Sequence, residues 1–160
     1  MILVSSCLCG EKCKYNGGDN LNEQVLKYLE GEEIVQVCPE VMGGLSTPRT
    51  PSEIVGGTAK DVIQGKAKVL TQSGEDVTSF FLSGAYKTLE LIRQFQIKKA
   101  ILKAKSPSCG KGKIYDGAFH GQLISGHGIT AELLLEEGIE VMTEVEVVTQ
   151  IQHMEQVKAL

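Results

Sequence analysis

Tryptophan is absent from this 160-residue chain and aromatic residues make up only 5% of it, which leaves no stacking platform for single-stranded nucleic acid. Positive charge is not in excess either. Sixteen Lys and Arg stand against twenty Asp and Glu, a formal charge of -4, so no global attraction draws the chain to a nucleic acid polymer. No apolar run approaches the roughly 20 residues that cross a bilayer. Met1-Ile2-Leu3-Val4 lacks the length and the basic flank of a signal peptide. The expectation is a protein of the cytoplasm with no membrane contact, where thiols stay reduced. Close C-x2-C pairs are missing as well, which excludes a ferredoxin run and a zinc ribbon. Five cysteines are an odd number and cannot complete a disulfide framework, which turns attention to metal binding or thiol chemistry.

With 42% apolar residues and a mean hydropathy of -0.02, the composition is that of a soluble globular protein. A chain of this length fits one domain, residues 1–160, and buries about 68–70% of its unfolded surface, so it needs no metal merely to hold a core. Any metal it binds is then functional.

Three apolar runs end in a cysteine. Ile2-Leu3-Val4 leads into Ser5-Ser6-Cys7, Ile34-Val35-Gln36-Val37 into Cys38-Pro39-Glu40, and Ala100-Ile101-Leu102 into Ser106-Pro107-Ser108-Cys109-Gly110. Boxed in by Pro107 and Gly110, Cys109 reads as a presented thiol, not a packed one. Lys87, Arg93, Lys98, Lys99, Lys103, Lys105, Lys111 and Lys113 lie before and just after it, a local positive potential that favours thiolate.

The periodicity predicts strands at 1–5, 33–37, 99–102 and 139–142, the second so apolar that it reads as covered on both faces. Helices are expected at about 20–31 with Asn20 as N-cap, 78–95, 130–137 and 147–157. Residues 38–51 form a loop stiffened by three of the four prolines. About 53–77 reads as a small β excursion. Residues 110–128 read as loop, with Gly126-His127-Gly128 an ordinary strand-to-helix turn and His127 a satisfied loop histidine. The order is that of an α/β, doubly wound, mainly parallel Rossmann-like sheet of about four strands with right-handed crossovers and a small β insertion. Such sheets bind ligands beyond the carboxyl ends of their strands, where strand order reverses. Cys7, Cys38 and Cys109 each follow a strand at that edge.

Thiolates are soft ligands that select iron–sulfur clusters, zinc or copper(I), and spacing leaves the choice among them open, with redox or nucleophilic thiol chemistry as a further reading. A cubane cluster whose fourth iron acts as a Lewis acid needs three thiolates and one free corner, as catalytic zinc keeps a position open. Cys13 is a candidate fourth ligand or resolving thiol, while Cys9 reads as a small loop residue. Glu40, held behind Pro39, is a candidate general base or acid beside the metal, or else an ordinary partner of Arg49. Ser106 and Ser108 are candidate hydrogen-bond donors to cluster sulfides or substrate, or turn formers.

The set Ser6-Cys7-Leu8, Gly10, Lys14 to Gly18, Cys38 to Val41, Gly43-Gly44-Leu45, Pro48-Arg49, Pro51, Leu102-Lys103, Ser106 to Gly110 and Tyr115-Asp116-Gly117 with Phe119 resembles the thiouracil desulfidase family over nearly the whole chain. The resemblance implies a [4Fe-4S] cluster held by Cys7, Cys38 and Cys109. It also implies a fourth iron that binds the sulfur of a small thiolated nucleobase, with water replacing that sulfur at carbon in a reaction of hydrolase or lyase type. In that setting Glu40 and one of the two serines, Ser106 or Ser108, are the candidates to handle the proton. Cys9 departs from the family, which usually has an apolar residue there, and Asn16 stands where Asp is common. The competing expectations are a zinc-binding regulatory or interaction module and a sulfur or cluster carrier without turnover.

Overall fold

The computed structural model describes residues 1–160. Its centre is a four-stranded, all-parallel sheet of β1 (Ile2–Ser5), β2 (Ile34–Val37), β5 (Lys99–Leu102) and β8 (Glu140–Thr143), in the order β2-β1-β5-β8. Period-two alternation divides its side chains between two cores. Leu3, Ala100, Leu102 and Val141 meet Ile92, Ala131 and Leu134 on one face. Ile2, Val4, Ile101 and Met142 meet Val25, Leu29 and Val147 on the other. Helices α4 (Thr78–Gln94) and α5 (Ile129–Glu136) thus cover one face, and α1 (Glu23–Tyr28) and α6 (Glu144–Ala159) cover the other. This is the doubly wound α/β arrangement that the sequence predicts.

The excursion is the β3 (Ser52–Val55) and β4 (Lys68–Thr71) pair, antiparallel, with α3 (Ala59–Ile63) between them. A second antiparallel pair, β6 (Lys113–Tyr115) and β7 (Leu123–Ser125), lies within the stretch expected to be loop. Its strands have three residues each, too short for an alternating pattern to stand out. One more short helix, α2 (Pro39–Met42), opens the proline-rich segment.

Several boundaries differ from expectation for local reasons. Asn22, not Asn20, caps α1 by accepting a hydrogen bond from the Val25 amide at 3.0 Å. Helices α3 and α6 begin at reciprocal capping boxes, Thr58 with Asp61 and Thr143 with Glu146, each worth about 1 kcal/mol. Strand β2 is half exposed, because it is an edge of the sheet and is not covered on both faces. No helix is long and apolar enough to cross a membrane.

Candidate active site

Strand β1 lies between β2 and β5, so connections leave it in both directions and the sheet opens a crevice at its carboxyl end. The three cysteine-bearing loops rise from these neighbouring strands. Leaving β1, the chain makes one 3-10 turn, Ser6–Cys9, closed by Gly10 at φ 97°. The Asn20 amide donates to the Cys7 carbonyl at 2.9 Å, folding the glycine-rich segment back over the strand end.

Leaving β2, Cys38 occupies the N-cap position of α2 with Pro39 behind it. A Cβ on Gly84 would overlap the Pro39 carbonyl, so α2 rests directly on the backbone of α4 and the Cys38 loop is seated by that contact.

The Cys109 loop leaves β5 and is tied internally by Ser106, whose hydroxyl oxygen accepts from the Ser108 and Cys109 amides at 3.1 Å each. Its carbonyls then cap α5. Pro107 accepts from Ile129 at 2.9 Å, Ser108 from Thr130 at 2.8 Å, and Gly110 from Gly128 at 2.6 Å. Gly128 is required by this approach, since a Cβ there would stand 2.6 Å from the Ser108 carbonyl. The Gly126-His127-Gly128 segment is therefore the turn expected. His127 Nδ1 accepts from the Gly112 amide at 2.9 Å.

A cavity of about 490 Å³ lies over these strand ends, lined by Cys7, Cys38 and Cys109, by Glu40, Ser106 and Ser108, and by Cys13. The three candidate ligand cysteines, the candidates Glu40, Ser106 and Ser108, and Cys13 converge on it. Cys9 does not line it and packs instead toward the core under α1 and α6.

Electrostatics sort the thiols. Cys38 is lowered to about 7, chiefly by hydrogen bonding from the Cys13 thiol and then by the Val41 amide. Cys7 is lowered by Cys13 and by the Asn20 side chain, against the opposing effect of burial. Cys13 is raised, because it faces the Cys38 and Cys7 sulfurs. Cys109 is pushed up to about 12 by burial, with Ser5 and Ser108 partly offsetting it.

Cys109 lines the cavity, but its burial departs from the expectation of a freely presented thiol under a positive potential. Cys109 is only 5% exposed and belongs to the α4–α5 core, because its loop is drawn down onto the start of α5. Several of the cations are committed elsewhere: Arg93 to Glu137, Lys103 to Glu144, Lys111 to Glu146, and Lys99 to the Tyr28 hydroxyl.

Glu40 is held at both oxygens. Arg49 Nε donates to Oε1 at 3.1 Å and the Ser108 hydroxyl donates to Oε2 at 2.9 Å. The Ser106 and Ser108 hydroxyls are themselves 2.8 Å apart, giving a chain Ser106–Ser108–Glu40–Arg49 along the cavity wall. Arg49 also donates to the Cys13 carbonyl at 2.9 Å, so one guanidinium joins the first two cysteine loops. Pairing with Arg49 and facing the cavity are compatible, since the two partners take different carboxylate oxygens.

Sequence reasoning missed Ser5 and Asn20, and it placed Lys103 only in a general basic field. The Ser5 hydroxyl accepts from the Lys103 amide at 3.0 Å and lowers the Cys109 thiol against the effect of burial. No local pattern marks a serine at a strand end for that duty. Asn20 reads in the sequence as a helix N-cap, but its task depends on the fold-back of the loop.

Comparison with known proteins gives a consistent picture. The family model described as 2-thiouracil desulfurase matches residues 2–146. The Bacillus subtilis (strain 168) protein YbbK is 50% identical over 144 residues, covering 90% of this chain and 95% of its own. The solved structure of the [4Fe-4S]-dependent thiouracil desulfidase TudS is 39% identical and covers 97% of each chain, with a TM-score of 0.81.

Proposed function

The chain belongs to the 2-thiouracil desulfurase family, and from that premise we propose that it removes sulfur from a small thiolated nucleobase of the thiouracil kind, using a [4Fe-4S] cluster bound by Cys7, Cys38 and Cys109. The observation that carries the proposal is the meeting of three thiols from three different loops with the Glu40–Ser108 pair in one cavity.

The donor set fits the group. Three thiolates suit an iron–sulfur centre. The three thiols reach the cavity from three separate loops, an arrangement that suits a cluster binding each cysteine through a different iron. The volume of 490 Å³ leaves room for a single-ring base beside it. When bound, the cluster supplies an iron with an unfilled coordination position, a soft Lewis acid for a thiocarbonyl sulfur.

The chain's own residues supply the remainder. Pairing with Arg49 fixes the Glu40 carboxylate in position, and its Oε2 faces the same cavity as the thiols. Glu40 takes the proton from a water that attacks the thiocarbonyl carbon, and Ser108, bonded to Glu40, passes a proton between carboxylate and substrate. Ser106 holds Ser108 in place. The net change is C=S plus water to C=O plus hydrogen sulfide, with no change of oxidation state. Hydrogen bonding lowers the Cys38 and Cys7 thiols and burial raises Cys109; all three would hold a cluster as thiolates.

The test is incubation of the anaerobically reconstituted protein with 2-thiouracil, following loss of thiocarbonyl absorbance and release of sulfide. Equal amounts of uracil and sulfide support the reading. Sulfide or cluster transfer to a partner without loss of thiouracil overturns it in favour of a carrier.

A further inference from the structure

Glu53 is a carboxylate that no part of the reaction above uses. It sits on β3, 9% exposed, and takes part in none of the ion pairs. What satisfies it is backbone. Its Oε1 accepts from the Gly117 amide at 2.8 Å and the Phe119 amide at 3.3 Å. A buried carboxylate without a cation is costly unless fixed donors replace its water. Here the donors come from the turn joining β6 to β7, more than 60 residues away in sequence.

That turn carries several marks of imposed geometry. Gly117 is at φ 92° with its Cα against the Ile54 carbonyl, so a side chain there would collide with β3. Phe119 is at φ 60°, a region that non-glycine residues hold only where their surroundings over-determine it. Asp116 closes the turn through its own side chain, accepting from the Ala118 amide at 2.9 Å. Tyr115, Phe119 and Gly121 of this segment and Ser52 and Glu53 of β3 all line the cavity that holds the three cysteines.

We propose that Glu53 is a positioning residue for substrate: its carboxylate clasps the 116–121 turn onto β3 and so sets Tyr115 and Phe119 as an aromatic wall against a planar base. The inference rests on the desulfidase reading for its ligand, but the clasp itself does not. The chemistry at the cysteines is unaffected by Glu53, so its removal acts on binding. The side chain selects for flat heterocycles over bulkier thiocarbonyl compounds, because aromatic faces reward planar partners.

The experiment compares E53A, E53Q and F119A with the parent chain, measuring iron content, kinetics with 2-thiouracil, and amide hydrogen exchange of the 116–121 turn. For E53A the expected result is unchanged iron, kcat within a factor of about two, KM raised about tenfold, and faster exchange confined to the turn. E53Q keeps the acceptor oxygen and restores most of the KM, whereas F119A raises KM without loosening β3. Unchanged exchange in E53A overturns the clasp. Faster exchange with an unchanged KM overturns its part in binding. Should E53A fail to fold, F119A decides: a KM unchanged from the parent overturns the proposal. If the parent chain itself does not consume thiouracil, the desulfidase reading fails, and exchange at the turn still decides the clasp.

Discussion

The Ser108 hydroxyl donates to Glu40 Oε2 at 2.9 Å, joining two side chains that lie 68 residues apart and each within two residues of a cavity cysteine. The contact exists because β1 separates β2 from β5 by one strand, which brings the ends of the second and third cysteine-bearing strands within reach of each other.

If this pair moves the proton, changing either member leaves the cysteines in place but slows the reaction. Glu40→Gln and Ser108→Ala are each expected to lower kcat by about 10²- to 10⁴-fold with iron content unchanged. The double variant is expected to be little worse than either single one, since residues acting as a unit are not additive. Steady-state kinetics with parallel iron analysis checks this. Additive losses would mean that the two act separately.

Arg49 is mostly buried, its side chain 9% exposed beside Glu40 at 17%, and it also holds the Cys13 carbonyl. Arg49→Ala leaves a part-buried carboxylate unpaired and is expected to cost about 3 kcal/mol of stability, read as a lowered urea midpoint. Arg49→Lys is expected to recover little, because an ammonium cannot reproduce the directed donors that reach Glu40, Thr47 and Cys13 together.

Gly128 has no room for a side chain against the Ser108 carbonyl. Gly128→Ala is expected to push the Cys109 loop off the start of α5, costing about 2 kcal/mol by overpacking and lowering iron retention. The same change at Gly65, where nothing lies near a Cβ, leaves iron content intact and strains only a turn. Iron analysis of the two variants separates the close contact from a general glycine effect.

The thiols differ in ionisation, which predicts an order of alkylation in the cluster-free protein. Cys38, lowered to about 7, loses its proton as pH rises through neutrality, so its labelling by iodoacetamide increases through that range. Cys109, raised to about 12, is almost wholly protonated at pH 8 and buried as well, and is expected to stay unlabelled. Peptide mass mapping reads the order. Labelling of Cys109 as fast as Cys38 would show that its loop is not docked on α5.

Much of this architecture was legible because it follows from periodicity. The runs Ile2–Val4, Ile34–Val37 and Ala100–Leu102 announce strands, and a cysteine after each announces a shared edge once the sheet is parallel. The family resemblance carried the cluster and the base. What the sequence concealed depends on contacts between distant segments. Nothing near Cys109 reveals that its carbonyls cap α5, so a packed thiol looked presented. The lysines around it suggested a positive field, but several of their charges are taken by partners such as Glu144 and Glu146. Helix α3 and the β6–β7 pair were hidden by brevity, and Asn20 passed for a cap because its bond to Cys7 needs the loop to fold back.

The most direct test of the central claim is the iron and acid-labile sulfide content of the chain after anaerobic reconstitution, compared with C109S. The account predicts a brown protein with about four irons and four sulfides per chain, and near-complete loss of both in C109S. A colourless protein holding one zinc per chain, or full iron retained in C109S, would contradict it.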